Sequence, residues 1–312
     1  MKIAWEVSEQ VLLTIWHTLP WLAGLGLVFT VLSRFAPCNQ GRPWWEKRGL
    51  VTDLCYWVVS PLFGRYLRIW LTVFVTVWLF HISDGNQIGE FYAHGHGPLS
   101  RLPFWVQLIL YLVATDFALY WIHRGFHRGF LWKYHAVHHA SEDLEWTSAS
   151  RFHPVNLALG SGLVDVVAFL CGISPEIFVV VGPFNIITSC LVHANLSWTF
   201  GPLRTVFASP VFHRWHHAQA VCDKNFGSTF ALWDVMFGTY HMPAGALPKD
   251  YGIDDKAMPE GLVAQLIYPL TQREPAAEPP GDQQHPTAPF PLRRAAPGRG
   301  SEAIGQDGRT AQ

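Results

Sequence analysis

The chain has 312 residues, of which 50% are hydrophobic and only 14% are charged, and it contains 15 tryptophans. This composition points away from an ordinary soluble domain. The formal net charge of −1 gives no electrostatic case for nucleic-acid binding. The five cysteines follow no paired pattern, so no disulfide framework is expected. Unpaired cysteines are consistent with a protein that faces the reducing cytoplasm.

Four apolar stretches cover much of the first 200 residues, at 11–32, 50–82, 103–122 and 155–194. Each is long enough to cross a bilayer, since a spanning helix needs about twenty residues. The second stretch predicts one long tilted or broken crossing, although it contains Arg65 and Arg68. The fourth is broken at 172–175 and predicts two helices joined by a tight turn.

The charged residues between these stretches predict an orientation. Basic residues follow the first and third stretches, whereas segment 83–102 holds two acidic residues and one arginine. By the positive-inside rule, both basic segments lie in the cytoplasm. The sequence therefore predicts an all-α integral membrane protein with about four to five transmembrane or re-entrant helices. A histidine-rich cap would face the cytoplasm, in the bacterial inner membrane or an equivalent membrane.

Three histidine clusters carry the strongest chemical signal. They are an H-x-x-x-H and two H-x-x-H-H boxes, formed by His123, His127, His135, His138, His139, His213, His216 and His217. Residues three and four apart lie on one side of a helix, so each cluster is expected to present two or three ring nitrogens to one metal. Neutral imidazole binds iron, zinc, copper and nickel, and no cysteine adjoins a cluster.

Polar residues near the clusters are candidates for orienting the ligands. Asp116 lies two helical turns before His123, and we expect it to accept the free N–H of a ligand histidine; a helix-packing hydrogen bond is the alternative. Asp223, Asn225 and Asp234 follow the third cluster. They either orient ligands in the same way or shape a turn, and the sequence leaves both possibilities open.

From about residue 116 to about residue 240, the motifs resemble the fatty acid hydroxylase and sterol desaturase superfamily of integral-membrane di-iron oxygenases. Further matching motifs are R-F-H-P at 151–154, H-A-N at 193–195, D-K-N-F-G at 223–227 and L-W-D at 232–234. The resemblance implies that His153 and His193 are ligands or near-ligands and that Asn195 acts beside them. It also implies two iron ions, dioxygen as co-substrate and a lipid substrate.

The expected function is O2-dependent hydroxylation of a lipid C–H bond, with desaturation as the related outcome. No Gly-rich nucleotide fingerprint or haem domain is present, so an external reductase or electron carrier is expected as a partner. Two alternatives stay open: a zinc-dependent membrane hydrolase, although no H-E-x-x-H is present, and a non-catalytic metal- or lipid-binding membrane protein.

The predicted domain organisation has four parts. Residues 1–100 form N-terminal membrane helices, residues 101–245 the catalytic domain, and residues 246–272 a C-terminal extension of its cap. Residues 273–312 are rich in proline and glycine and poor in large apolar groups, which predicts a disordered tail.

Overall fold

The structure is a computed structural model that describes residues 2–41, 43–93, 96–221, 223–253 and 258–271. Within these ranges the regular secondary structure is entirely helical, apart from an isolated β-bridge between Ala218 and Tyr251. The predicted all-α fold class is therefore confirmed. The predicted tail at 273–312 lies outside the described residues.

Eleven α-helices occur in the described part of the chain. They are α1 (Lys2–Phe35), α2 (Leu50–Phe80), α3 (Gly85–Ala93), α4 (Phe104–Phe126), α5 (Trp132–His139), α6 (Pro154–Leu157), α7 (Leu163–Leu170), α8 (Pro175–His193), α9 (Pro210–His216), α10 (Leu232–Met236) and α11 (Leu262–Thr271). A π-helical turn at Ala158–Gly162 joins α6 to α7.

Four helices are long and apolar enough to cross a membrane, namely Ser8–Phe35 of α1 and the whole of α2, α4 and α8. The second apolar stretch forms a single helix, as predicted, with Pro61 inside it. Segment α6–α7, Pro154–Leu170, is a shorter apolar helix. It precedes α8, which confirms the predicted break between two helices in the fourth stretch.

The turn between α7 and α8 depends on a glycine. Gly172 has φ of +97°, and a Cβ at this position would lie 2.1 Å from the carbonyl oxygen of His96. Only glycine tolerates both the positive φ and the close backbone approach. The turn therefore packs directly against the segment that precedes α4.

An aromatic core holds the membrane helices to the segment that follows α5. The fully buried ring of Trp146 contacts Phe29 of α1, Trp44, and Trp57 of α2 at centroid distances of 5.0 to 5.9 Å. The indole N–H of Trp57 also donates to the carbonyl of Thr147 at 2.9 Å. These contacts fix the segment between the second box and α6 against α1 and α2.

A buried ionic network lies beside this core. Asp53, in the first turn of α2, accepts from Lys47 at 2.5 Å and from the guanidinium of Arg151. Thr147 donates to the same carboxylate at 2.7 Å, and Ser148 accepts from Lys47 at 2.6 Å. Because all the ionic groups are paired and hydrogen-bonded, the network can remain buried.

Candidate metal centre

Nine histidines form two adjoining groups in the cap. One group contains His123, His127, His135, His139 and His216, and the other contains His138, His193, His213 and His217. Within each group, the candidate ligand nitrogens lie within 4.8 Å of one another. All eight box histidines and His193 are therefore brought together. They lie on α4, α5, α8 and α9, except that His127 and His217 directly follow α4 and α9.

The two groups divide the H-x-x-H-H boxes, which corrects the expectation that each box serves one metal. In α5, His135 and His139 face the five-histidine group, whereas His138 faces the other. The reason is the helical rotation of about 100° per residue. Relative to His135, the i+4 residue lies about 40° to one side and the i+3 residue about 60° to the other. The third box divides in the same way.

The spacing of the ring nitrogens fits metal coordination. Two ligands at right angles, with metal–nitrogen bonds of about 2.1 Å, are about 3.0 Å apart. In the five-histidine group, Nε2 of His135 lies 3.0 Å from Nε2 of His123 and 3.2 Å from that of His139. The corresponding separations in the four-histidine group, along the series His138, His193, His213 and His217, are 3.1 to 3.3 Å.

Two further nitrogens support this fit. Nε2 of His127 and Nε2 of His216 are buried and have no hydrogen-bond partner among the described residues. A buried nitrogen without a partner is costly, and a metal ion would satisfy it. The two groups are therefore able to bind metal, with imidazole as the shared ligand type.

Burial also favours the ligand form of these side chains. Seven box histidines lie outside the membrane-spanning helices, and burial lowers the pKa of each below the ordinary value of 6.5. The proximity of other histidines lowers the pKa further. The seven are His127, His135, His138, His139, His213, His216 and His217. The rings are therefore neutral at physiological pH, with a lone pair free for a metal.

Backbone carbonyls orient four of the rings. Nδ1 of His123 lies 2.8 Å from the oxygen of Phe226, and Nδ1 of His216 lies 2.8 Å from that of Lys224. In the other group, His138 and His193 pair with the carbonyls of Arg151 and Ser189, respectively, at 3.2 and 2.7 Å. A carbonyl can only accept, so Nδ1 carries the proton in each case. Nε2 is then left with its lone pair directed into the group.

Two ligands of the five-histidine group have side-chain neighbours instead. Asp223 Oδ1 lies 3.8 Å from Nδ1 of His127. Of the three predicted carboxylates, Asp223 is thus the one that lies beside a ligand histidine. The amide of Asn156 lies 3.0 Å from Nδ1 of His135, and its Oδ1 has no partner in the described structure. The amide can present either its nitrogen or its oxygen to the ring, and the oxygen would accept the Nδ1 proton.

Asp234 shapes the loop that carries these acceptors. Its carboxylate accepts from the N–H groups of Phe226 and Gly227, both at 2.8 Å, and from the hydroxyl of Thr239 at 2.6 Å. A Cβ on Gly227 would lie only 2.3 Å from the carbonyl oxygen of Phe230. Asp234 thus shapes the turn at 226–227, and the Phe226 carbonyl in this turn accepts from Nδ1 of His123. That Asp234 orients a ligand through this turn stays a prediction.

Asn225 reinforces the same loop. It adopts a positive φ of 60°, and its side chain bonds to the backbone of Phe212 and His241 at 2.6 to 2.8 Å. The loop at 223–227 thus lies beside three ligand histidines. The Asp223 carboxylate is near His127, the Lys224 carbonyl accepts from His216, and the Phe226 carbonyl accepts from His123.

Asp116 does not make the expected hydrogen bond to a histidine. It accepts instead from the N–H groups of Thr229 and Phe230, at 2.8 and 3.1 Å, and from Nε1 of Trp233 at 2.9 Å. Two helical turns separate Asp116 from His123, about 10 Å along the axis, which places the carboxylate out of reach of that ring. It ties α4 to the segment before α10.

Two other predicted residues lie at the edge of the centre. Asn195 exchanges hydrogen bonds of 2.9 Å with the backbone of Asn39, and so joins the end of α8 to the segment after α1. His153 lies outside both histidine groups: Nδ1 accepts from the N–H of Val155 at 3.1 Å, and Nε2 lies 3.2 Å from the carbonyl of Leu266. The structure thus brings together nine of the ten predicted ligands.

Sequence reasoning missed the residues that reach the ligands from other elements. Asp53 accepts a hydrogen bond from the side chain of Arg151, and the Arg151 carbonyl accepts from His138. The side-chain amide of Asn156 lies beside Nδ1 of His135. An acidic residue inside an apolar stretch was the available signal for Asp53. Carbonyl acceptors leave no side-chain signal in a sequence.

A cavity of about 520 Å³ adjoins the four-histidine group. His213 lines it, together with Phe152, Ser189 and Thr229. Its volume lies in the range of about 300–1,000 Å³ that is typical of small-molecule sites. Of the nine grouped histidines, His213 is the one that lines this cavity.

Comparison with known proteins agrees with the motifs. Residues 108–239 match the model of the fatty acid hydroxylase family. The chain is 32% identical to the ornithine lipid hydroxylase OlsE of Rhizobium tropici over 183 residues, which are 58% of this chain and 55% of that protein. It is 34% identical to the alkylglycerol monooxygenase of Caenorhabditis elegans over 240 residues, which are 75% of this chain and 43% of that protein.

A sterol desaturase is also similar. The Delta(7)-sterol 5(6)-desaturase ERG3B of Gibberella zeae is 30% identical over 139 residues, which are 44% of this chain and 42% of that protein. The chain spans about half the length of the curated relatives it matches. No solved structure matches it. The resemblance inferred from the motifs is confirmed, and the match lies inside the predicted 101–245 domain, whose boundaries remain a prediction.

Proposed function

Because residues 108–239 match the fatty acid hydroxylase family model, we propose that the protein is a membrane-bound, O2-dependent, di-iron lipid oxygenase. It hydroxylates a C–H bond of a lipid, with desaturation as the related outcome. A hydroxylase and a monooxygenase are among its relatives, and each aligns with more of this chain than the desaturase does. Hydroxylation is therefore the preferred assignment.

The observation that carries the proposal is the pair of adjoining imidazole groups beside a cavity among the membrane helices. In this proposal, the groups of five and four histidines would each hold one of two metal ions. Iron bound there supplies the oxidising power to break an unactivated C–H bond, with dioxygen as co-substrate and electrons from an external reductase or electron carrier.

The protein's own residues perform three tasks in this scheme. The carbonyls of Phe226, Lys224, Arg151 and Ser189 hold the Nδ1 protons of the ligands and thereby direct each Nε2 inward. The cavity excludes water around the lipid chain. Through His213, it places that chain next to the four-histidine group.

The proposed orientation places the centre on the cytoplasmic face of the bacterial inner membrane or an equivalent membrane. Arg124, Arg128 and Lys133 support it, because they lie at the end of α4 and the start of α5, beside the first ligands. Positive charges collect on the cytoplasmic side of membrane proteins.

The test is a lipid mass spectrum from cells grown under ¹⁸O₂, with the intact protein, with His138→Ala and with His17→Ala. His17 lies in α1 and belongs to neither histidine group, so it is the matched control. We expect a lipid that gains labelled oxygen with the intact protein and the control but not with His138→Ala. A lipid that loses two hydrogens without label would assign desaturation instead.

Metal content of the purified protein completes the test. Two iron ions per chain are expected. Zinc in the native protein, together with lipid spectra that do not differ between the intact protein and His138→Ala, would contradict the oxygenase and favour the hydrolase or metal-handling alternatives.

A further inference from the structure

The cavity next to His213 extends away from the histidine groups into the membrane-spanning region. Its distant part is lined by Arg68 of α2, Tyr111 of α4 and Asp165 of α7. These residues form a polar cluster that neither the metal centre nor the C–H chemistry uses. We call it the distal cluster.

The distance from the ligands can be taken from α4. Tyr111 and His123 lie twelve residues apart on this helix. At a rise of 1.5 Å per residue, they are about 18 Å apart along the axis. One lipid tail has a similar length, because two leaflets of tails make a hydrocarbon core of about 30 Å.

The contacts within the distal cluster leave one group underused. The Tyr111 hydroxyl donates to Asp165 Oδ1 at 2.6 Å, and Arg68 Nη1 lies 3.5 Å from Asp165 Oδ2. The guanidinium carries five N–H donors. Within the described residues, this single long ion-pair contact is the polar partner of the Arg68 guanidinium, whose side chain is 43% exposed.

A purely structural role accounts for only part of this arrangement. Tyr111 and Asp165 join α4 to α7 by a short hydrogen bond, and such a bond can hold a membrane bundle together. An arginine in a membrane segment is expensive and is normally paired closely. The free donors of Arg68 border a cavity, so they can bind an oxygen atom of a ligand there.

We propose that the distal cluster binds a hydroxyl or carbonyl oxygen of the lipid substrate, about one tail length from the C–H bond that reacts. This inference rests on the proposed lipid oxygenase function and deepens it. The substrate is then a lipid with a neutral polar group far from the reacting carbon. Neutrality follows from the charges, because Arg68 and Asp165 cancel and leave no net charge to attract an anion.

Photo-crosslinking in lipid nanodiscs tests the proposal without turnover. The probes are hexadecan-1-ol with a diazirine at carbon 3 and hexadecane with a diazirine at the same carbon. Crosslinked positions are read by peptide mass spectrometry at Leu112 and Val164, which line the cavity next to the distal cluster. We expect the alcohol to label these two residues about tenfold more than the alkane, the effect of one hydrogen bond to a charged group.

The key variant is Arg68→Met combined with Asp165→Asn, which removes both charges so that neither is left unpaired in the membrane. It should abolish the preference for the alcohol. Arg65→Met is the matched control, since Arg65 lies one helical turn away, is exposed and does not line this cavity. It should retain the preference.

Three results would overturn the proposal: equal labelling by the two probes, a preference that survives in the double variant, or strong labelling only by a hexadecanoic acid probe with the same diazirine. The crosslinking needs no metal and no dioxygen. A protein that labels as expected but oxidises no lipid would therefore refute the proposed function and leave the polar subsite standing.

Discussion

Asp234→Asn tests whether the loop at 223–227 positions the five-histidine group. The carboxylate accepts three hydrogen bonds of 2.6 to 2.8 Å, and its residue is fully buried. An amide has one acceptor oxygen, so at least one donor would face the Asn N–H₂ group. Loss of one hydrogen bond to a charged group destabilises the fold by about 1.5–3 kcal/mol. The displaced Phe226 carbonyl would then release Nδ1 of His123.

The expected result is a tenfold to hundredfold weaker metal affinity of the five-histidine group, the usual effect of removing a partner behind a ligand. The four-histidine group should keep its affinity. The assay is anaerobic titration of the full chain in nanodiscs with chelator-buffered iron(II), with bound metal counted by mass spectrometry.

Asp250→Asn is the matched control for this titration, because it makes the same chemical change at an exposed residue. Asp250 has a positive φ, and asparagine tolerates this conformation. It should bind metal like the unaltered protein. Unchanged affinity in Asp234→Asn, or an equal loss from both groups, would refute the loop-positioning argument.

Three other changes give distinct outcomes. His153→Ala should retain both metals and lose about 1 kcal/mol of stability, since this side chain caps α6; a lost metal in the iron(II) titration would make it a ligand after all. Asp53→Asn should destabilise the protein by about 3–5 kcal/mol in denaturant unfolding, because Lys47 and Arg151 would remain as buried, unneutralised cations. Burial raises the pKa of Glu145 to about 7 from 4.5. The folded state therefore binds a proton that the unfolded chain releases, and stability should fall by up to about 3 kcal/mol as pH rises from 4.5 through 7. Unfolding measured across this range should show that Glu145→Gln flattens the dependence.

The sequence predicted the membrane helices well because length and apolar composition are sufficient signals there. The long helix α2 and the break before Pro175 both follow from such local features. The sequence analysis predicts no helix in segment 83–102, whereas the structure has α3 there, at Gly85–Ala93. Its nine residues are too short and too polar to stand out without their tertiary contacts.

The candidate ligands were also largely predictable, whereas their partners were not. Helical spacing identified the box histidines, but His153 shows that a motif histidine can serve as a helix cap. Asp116 shows a second limit. Its place in α4 is clear from the sequence, but its partners lie 113 to 117 residues away along the chain, and only the fold brings them to it.

The division of each H-x-x-H-H box between the two histidine groups explains how the protein can hold two candidate metal sites in a fixed relation to each other. Helix α5 supplies His135 and His139 to one group and His138 to the other. At the end of α9, His216 joins the first group, and His213 and His217 join the second. The rings of His139 and His217 also stack at 4.3 Å across the boundary. Two short helices therefore set the relative position of both sites, since neither helix can move without displacing ligands of both groups.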